Sequence, residues 1–313
     1  MARKPDLNPP ALQALIARAF GREVPVSFER VQEGVSTQVY RLTRGSEAFF
    51  LRAAEEEGEN LGLDAELHRQ LHVRGVHVPE VVYVEPCDPV LRRSVMITAA
   101  LPGGSLEQAS SVEAAEGVAR AAGRDLALLN QVTVKGFGFV RRDGSAWPLA
   151  AEFPSYDEFV VSLLPDPWPG RLAELFEPAE LTSFEGFIET ERRRRLTTAH
   201  LAHGDFDVTP IFHLDGVYSG LIDFGEIRGT EPLFDLGHFL LHDRESFSAS
   251  LVEPLIAGYE EVQLLPPNGR AEIRTSAILL GLRQLCRWIS RGDFLSSYRV
   301  RYRAGRLREL IDG

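Results

Sequence analysis

Apolar residues recur at helical spacing from Ala11 to Ala19, which predicts a helix leading the chain within residues 1–25. The period then changes. Val39-Tyr40-Arg41-Leu42 and Ala48-Phe49-Phe50-Leu51, with Val31 ahead of them, read as strands joined at turns around Gly34 and Arg44-Gly45-Ser46. Leu63 to Val73 returns to helical spacing and stops at Gly75, a residue suited to the left-handed end of a helix. Val81-Val82-Tyr83-Val84 and Val95-Met96-Ile97-Thr98 predict two further strands. Leu101-Pro102-Gly103-Gly104 interrupts the pattern and sets a boundary between an N-terminal lobe, residues 1–100, and a C-terminal lobe, residues 101–313.

Beyond that boundary the spacing is mostly helical. Ser110-Ser111-Val112-Glu113 matches a capping box and opens a helix that runs to about Leu129. Residues 136–170 are rich in Gly, Pro and aromatics, and read as loop with a short helix near Tyr156 to Leu164. Leu172 to Leu196 reads as helix with a break near Pro178. Further helices are expected near Phe234–Leu241, Phe247–Val262 and Ile273–Ser290, with another at the C-terminus. Ile278, Leu279, Leu282, Leu285, Cys286 and Ile289 make a buried stripe on the third of these. One hairpin is embedded in the helical part: Ile211-Phe212, a turn at Leu214-Asp215-Gly216, then Val217 to Ile222. Strands first and helices after them predict an α+β, two-lobed arrangement.

Composition narrows the function classes. The chain has 313 residues, 44% hydrophobic and 25% charged, as expected for a globular protein with a sizeable core. Its net charge of −11 argues against nucleic acid as a partner and mainly reflects solubility. Two cysteines, Cys87 and Cys286, make neither a disulfide framework nor a zinc cluster, and Cys286 fits as a small core residue. Met1 to Pro10 lacks the apolar run of a secretory signal, and no apolar stretch is long enough to span a bilayer. A cytoplasmic protein without a membrane partner, monomeric or homodimeric, is the expectation.

The hairpin carries the chemistry. Its geometry brings Asp205, in His203-Gly204-Asp205-Phe206-Asp207-Val208-Thr209-Pro210, to the same end as Asp223, in Leu221-Ile222-Asp223-Phe224-Gly225. Two carboxylates at one place suit metal-assisted phosphoryl transfer: one orients a hydroxyl nucleophile and one holds magnesium on nucleotide phosphates. Pro210 stands where such a site would normally have a second, oxygen-bearing metal ligand.

Three pieces in order, His203-Gly204-Asp205, Asp223-Phe224-Gly225 and Pro232-Leu233-Phe234-Asp235-Leu236, resemble the aminoglycoside phosphotransferase and choline kinase branch of the protein-kinase-like fold. That branch carries His-Gly-Asp-x-x-x-x-Asn, an apolar strand, Asp-Phe-Gly or a variant, and then Pro-x-x-Asp-Leu. The resemblance covers roughly residues 27 to 290 and is most specific over 203 to 240. It implies a small antiparallel-sheet lobe that binds ATP or GTP with Mg2+, and a larger, mainly helical lobe for catalysis and the acceptor. The implied activity moves the γ-phosphoryl group of a nucleoside triphosphate to a hydroxyl of a small molecule, aminoglycoside-like or a metabolite. The region between about 150 and 200, with the last helices, would shape the acceptor pocket.

The resemblance assigns roles residue by residue. Asp205 becomes the base or hydroxyl-orienting group, His203 orients its loop, Asp235 braces that loop and Asp223 binds the metal. Gln32 to Thr37 corresponds to the nucleotide-covering loop, with Ser36 and Thr37 donating to a phosphate. Arg52 stands for the family's phosphate-binding lysine and Asp64, with Glu66 close by, for its glutamate partner. Thr98 to Leu101, including Ala100, matches the hinge whose backbone holds a purine. With Pro210 in place of the family's Asn, three readings stay open: Asp207 or His213 supplies the ligand, one metal on Asp223 suffices, or the protein is weak or inactive as a kinase. The competing class is therefore a kinase-like protein that binds a nucleotide, metabolite or protein partner without catalysis. No G-x-x-x-x-G-K-[ST] occurs. The pairs His68/His72 and His238/His242 read as helix surface, Arg192 to Arg195 as a solvated face with acidic neighbours, and Glu55 to Glu57 as a solvated loop.

Overall fold

The computed structural model describes residues 6–23, 25–31, 38–54, 58–143, 147–292 and 294–312. The expected phosphate donors Ser36 and Thr37, the rest of Gln32 to Thr37, and Glu55 to Glu57 lie outside the described residues.

Helix α1 (Pro9–Phe20) starts at Asn8, whose side chain accepts from Ala11 N, with prolines in the first turn, where a missing N–H costs nothing. It buries Leu12, Leu15 and Ile16 on a five-stranded antiparallel sheet. The strands are β1 (Val26–Arg30), β2 (Gln38–Arg44), β3 (Glu47–Ala53), β4 (Val81–Glu85) and β5 (Val95–Ala99), in the order β1-β2-β3-β5-β4. In β3, Phe49, Leu51 and Ala53 turn into the core, so the alternation of a strand puts Phe50 and Arg52 on the other face.

Helix α2 (Gly62–Val73) lies between β3 and β4 in sequence, yet its stripe of Leu63, Leu67 and Leu71 joins the apolar core of the larger lobe. The helix thus packs on both lobes, since its Ala65 clusters with Met96 of β5 and with Val81 and Val84 of β4.

The larger lobe runs from β6 (Gly104–Ser105) through α3 (Val112–Asn130), β7 (Thr133–Val134), β8 (Phe137–Val140), β9 (Ala151–Phe153), α4 (Tyr156–Leu163), α5 (Trp168–Leu172) and α6 (Pro178–Arg192). It continues with β10 (Ala199–Ala202), β11 (Ile211–Leu214), β12 (Val217–Leu221), β13 (Arg228–Thr230), α7 (Phe234–His242), α8 (Val252–Glu260), α9 (Gly269–Ser290) and α10 (Tyr298–Asp312). Two small sheets, β7-β10-β13-β8-β9 and β12-β11-β6, frame the hairpin. Helices α3 and α8 meet backbone to backbone: a Cβ on Gly258 would strike the Arg120 carbonyl, and one on Gly123 would strike that of Leu255. Among the described residues no helix is long and apolar enough to cross a membrane.

Several expectations change. Residues 136–170 contain β8 and β9 as well as the short helix, so the region is not mainly loop. The break expected near Pro178 is present, but the helix before it ends at Leu172 and the one after it runs only from Pro178 to Arg192, because proline fits the first turn and not the interior. Helix α8 starts at Val252 rather than Phe247. His68 is buried, with Nδ1 on the Pro79 carbonyl at 2.9 Å, so only His72 of that pair is helix surface. In the Arg192 to Arg195 run, Arg192 and Arg193 are exposed and pair with Asp157 and Glu189 as expected, while Arg194 is half-buried between Glu191 and Glu272.

Candidate active site

Strand β10 delivers His203 into the interior, where it is 0% exposed. Its Nε2 faces the Ile222 carbonyl at 2.8 Å, so this nitrogen carries the hydrogen and donates. The ring lies against Phe206 and Phe224, with centroids 5.6 and 5.0 Å away. His203 N and Gly204 N donate to the two oxygens of Asp235 at 2.8 and 2.9 Å, so Asp235 braces the loop as the resemblance implied. Gly204 has φ 88, and any Cβ there would strike the Glu226 carbonyl; only glycine fits. Buried Arg228 donates to the carbonyls of Gly204 and Glu226 at 3.1 and 3.2 Å and packs over the rings of Phe139 and Phe234. Burial, with Arg283 nearby, pushes its pKa down to about 10.

These contacts turn Asp205 outward, its side chain 61% exposed. His238, on α7 below it, puts Nε2 3.4 Å from the Asp205 carboxylate while its Nδ1 faces the Phe206 carbonyl at 3.0 Å. His238 is therefore buried under the loop that carries Asp205 and not on a helix surface. Its hydrogen bond, against the opposing effect of burial, holds the Asp205 carboxyl down to about 2. Asp205 is ionised across neutral pH.

Ile222 N donates to the Pro210 carbonyl at 3.0 Å, and β11 pairs with β12 from Ile211↔Leu221 onward. The ladder uses only the carbonyl of Pro210, so proline's missing N–H costs nothing there. Asp223 follows Ile222 with φ 63 and ψ 62, left-handed backbone, and its side chain is exposed. The His203–Ile222 bond thus joins the two carboxylate-bearing segments: Asp205 lies two residues after one partner, and Asp223 directly after the other. Asp207 Oδ1 accepts from Thr209 N and Oγ1 at 2.7 and 2.6 Å, closing a turn. His213 Nδ1 accepts from Gly216 N at 3.2 Å and serves the hairpin turn, not the cleft. A shallow recess, with room for about one water, lies beside the loop, bordered by Asp207, Phe239, His242, Asp243, Arg244 and Phe247 among others.

In the smaller lobe the expected Arg52–Asp64 pair does not form. Arg142 takes Asp64 instead, its Nε 3.2 and 3.0 Å from the two oxygens and a terminal nitrogen 3.1 Å from Oδ1. Arg52 stays on the face of β3 away from the α1 core. Thr98 is buried in β5, paired with Phe50. Ala100 N already donates to the Ala48 carbonyl at 2.9 Å.

The family model for the phosphotransferase enzyme family matches residues 27–274. The chain belongs to that family. Aminoglycoside phosphotransferase APH(4)-Ia, solved as a ternary complex with AMP-PNP and hygromycin B, is similar over 96% of this chain and 98% of its own, with a TM-score of 0.68 at 16% identity. A candidate fructosamine-3-kinase from Thermobifida fusca YX-ER1 covers 96% and 98%, at TM-score 0.60 and 17% identity. A candidate aminoglycoside phosphotransferase from Ralstonia eutropha JMP134 covers 97% and 98%, at 0.61 and 12%. At such identities the likeness establishes the fold, two-lobed and protein-kinase-like. None of the curated proteins matches the chain in sequence.

Three residues that organise the site carry no sequence signal of their role. Arg142 sits in a Gly- and Pro-rich stretch, Arg228 in a three-residue strand, and His238 at a helical spacing shared with ordinary surface histidines. Each has a partner far along the chain: 78 residues away for Arg142 and Asp64, 24 for Arg228 and Gly204, and 32 for His238 and Phe206.

Proposed function

We propose that this protein transfers the terminal phosphoryl group of ATP or GTP to a hydroxyl group of a small molecule. The observation that carries the reading is the His203–Ile222 hydrogen bond, which ties the loop presenting Asp205 to the turn presenting Asp223. In the proposed step the acceptor oxygen forms a bond to the γ-phosphorus as the bond to the bridging oxygen of the nucleoside diphosphate breaks, and the hydroxyl proton passes to Asp205. A carboxyl held near pKa 2 is a weak base, so Asp205 acts mainly by aligning the hydroxyl, which a loose transition state rewards.

The exposed Asp223 carboxylate is a hard oxygen donor suited to Mg2+. Among the described residues no three His, Cys, Asp or Glu side chains gather to hold an ion. Bound there, magnesium would neutralise charge on the triphosphate. Asp207 has one oxygen outside its turn that could assist. Arg52, free of Asp64, is available to the phosphates. At the hinge the Ala100 carbonyl and the Leu101 amide are the groups left for a purine edge.

Pro210 favours a second reading, a nucleotide- or metabolite-binding protein without catalysis, because its side chain offers no metal ligand. Labelled ATP or GTP with Mg2+ and a panel of hydroxylated metabolites and aminoglycosides separates the two. Transfer of label by wild type, with a loss of roughly 10²–10⁴-fold in Asp205→Ala, supports the transferase. Nucleotide-dependent stabilisation with equal inertness of both proteins supports the binding protein, and no stabilisation at all rejects both.

A further inference from the structure

Arg142 belongs to no motif, yet it meets both lobes. It stands just past β8, and its backbone carbonyl accepts from Asn60 N at 3.0 Å, immediately ahead of α2. Its guanidinium grips Asp64, in the first turn of α2, with three contacts of 3.0–3.2 Å. A terminal nitrogen of the same group donates to the Phe224 carbonyl at 2.9 Å. The pair is enclosed, with Asp64 0% and Arg142 16% exposed at the side chain. A planar guanidinium can serve two acceptors in fixed directions, which an ammonium group cannot.

The carbonyls on both sides of Asp223 are therefore held: that of Ile222 by His203 Nε2 at 2.8 Å and that of Phe224 by Arg142 at 2.9 Å. Between them Asp223 keeps a left-handed backbone, which a residue with a Cβ adopts at a cost and retains only where its surroundings enforce it. Phe224 is also fixed from α2, since its ring meets His68 edge-on at 5.1 Å. Leu63, Leu67 and Leu71 seat the same helix on the larger lobe's core.

We infer that Arg142 is the positioning residue for Asp223: it locks α2 to the larger lobe and holds the Phe224 carbonyl, and so sets the turn that presents the Asp223 carboxylate. The inference deepens the phosphotransferase reading and rests on it. It gives Arg142 the task of holding the α2 acid and leaves Arg52 no part in fixing the helix.

Amide hydrogen exchange on ligand-free wild type, Arg142→Met, Arg142→Lys and Arg52→Met tests it without any activity assay. In Arg142→Met, residues 222–227 and 61–66 should both exchange at least about tenfold faster, while the core of α9 and every segment of Arg52→Met stay at the wild-type rate. Lysine reaches one acceptor and not both, so Arg142→Lys should loosen the same two segments by less; if the methionine variant fails to fold, this variant decides. Mn2+ titration of the AMP-PNP complex adds a second readout. Metal affinity should fall by about tenfold in Arg142→Met, with metal-free AMP-PNP affinity within about threefold of wild type. Unchanged exchange over 222–227 in the folded Arg142 variants, or equal loosening of α2 in Arg52→Met, overturns the inference. Wild type that binds no nucleotide defeats the phosphotransferase reading instead, and the exchange rates still judge Arg142.

Discussion

Asp205 owes its acidity to a neighbour on another element. His238 Nε2 lies 3.4 Å from its carboxylate, and this hydrogen bond outweighs burial to bring the pKa to about 2. The sign follows: a depressed carboxyl pKa contributes stability above its unfolded value, about 3.9, and that contribution is lost as pH falls toward 2. His238→Leu should return the Asp205 midpoint toward about 3.9, read by NMR of the carboxyl carbon, and should remove this part of the acid sensitivity. A midpoint left near 2 in the variant would mean that the loop backbone, not His238, sets the acidity. The same value predicts that any acid limb of a pH–rate profile above about pH 4 belongs to another group. Asp205 and Asp223 were legible in the sequence because each stands in a short motif beside an apolar strand. His238 and Arg142 were not, since what each does is fixed by a partner brought in by tertiary folding.

At the scale of elements, legibility tracked length. The apolar stripe of α9 repeats over 22 residues and announces itself, whereas α3 is capped by Ser111, accepting from Ala114 N at 3.2 Å, and not by the Ser110 to which the Ser-x-x-Glu spacing pointed. Strands β7, β8, β9, β10 and β13 have two to four residues each, too few for an alternation to stand out, and β13 buries even its arginine. The sheet they form was hidden for that reason. Two substitutions measure what the elements contribute. Ser111→Ala should cost about 1 kcal/mol in chemical denaturation through loss of the cap. Gly258→Val should cost more, about 2–3 kcal/mol, since the added side chain drives α8 off the α3 backbone at Arg120. Both should leave nucleotide binding unaltered; a Gly258→Val protein as stable as wild type would show that the two helices can slide apart freely.

Taken whole, the molecule hangs the loop that carries Asp205 on a buried polar knot. Asp235 in α7 holds His203 and Gly204, and four residues earlier Glu231 accepts from Leu233 N at 2.6 Å and from Ser276 Oγ of α9 at 2.5 Å. Close by, Tyr156 of α4 donates to Glu191 of α6 at 2.7 Å, and Arg194 bridges Glu191 to Glu272 of α9 at 3.1 and 3.0 Å. Burial is the largest influence on Glu231 and, with Glu191 nearby, pushes its pKa up to about 7. A carboxyl raised above its unfolded value of 4.5 favours folding fully below that value, and the contribution is lost as pH rises through about 7. The knot should therefore loosen as pH climbs from 5 to 8, a direction opposite to that of Asp205. Glu231→Gln mimics the protonated acid: its amide can donate to Ser276 Oγ while its oxygen accepts from Leu233 N. Melting temperatures taken across that range should fall in wild type and stay nearly level in Glu231→Gln, bringing the variant closest to or above wild type at the alkaline end. Equal slopes in the two proteins would place the alkaline sensitivity elsewhere and leave Glu231 as a carboxylate neutralised by Arg194.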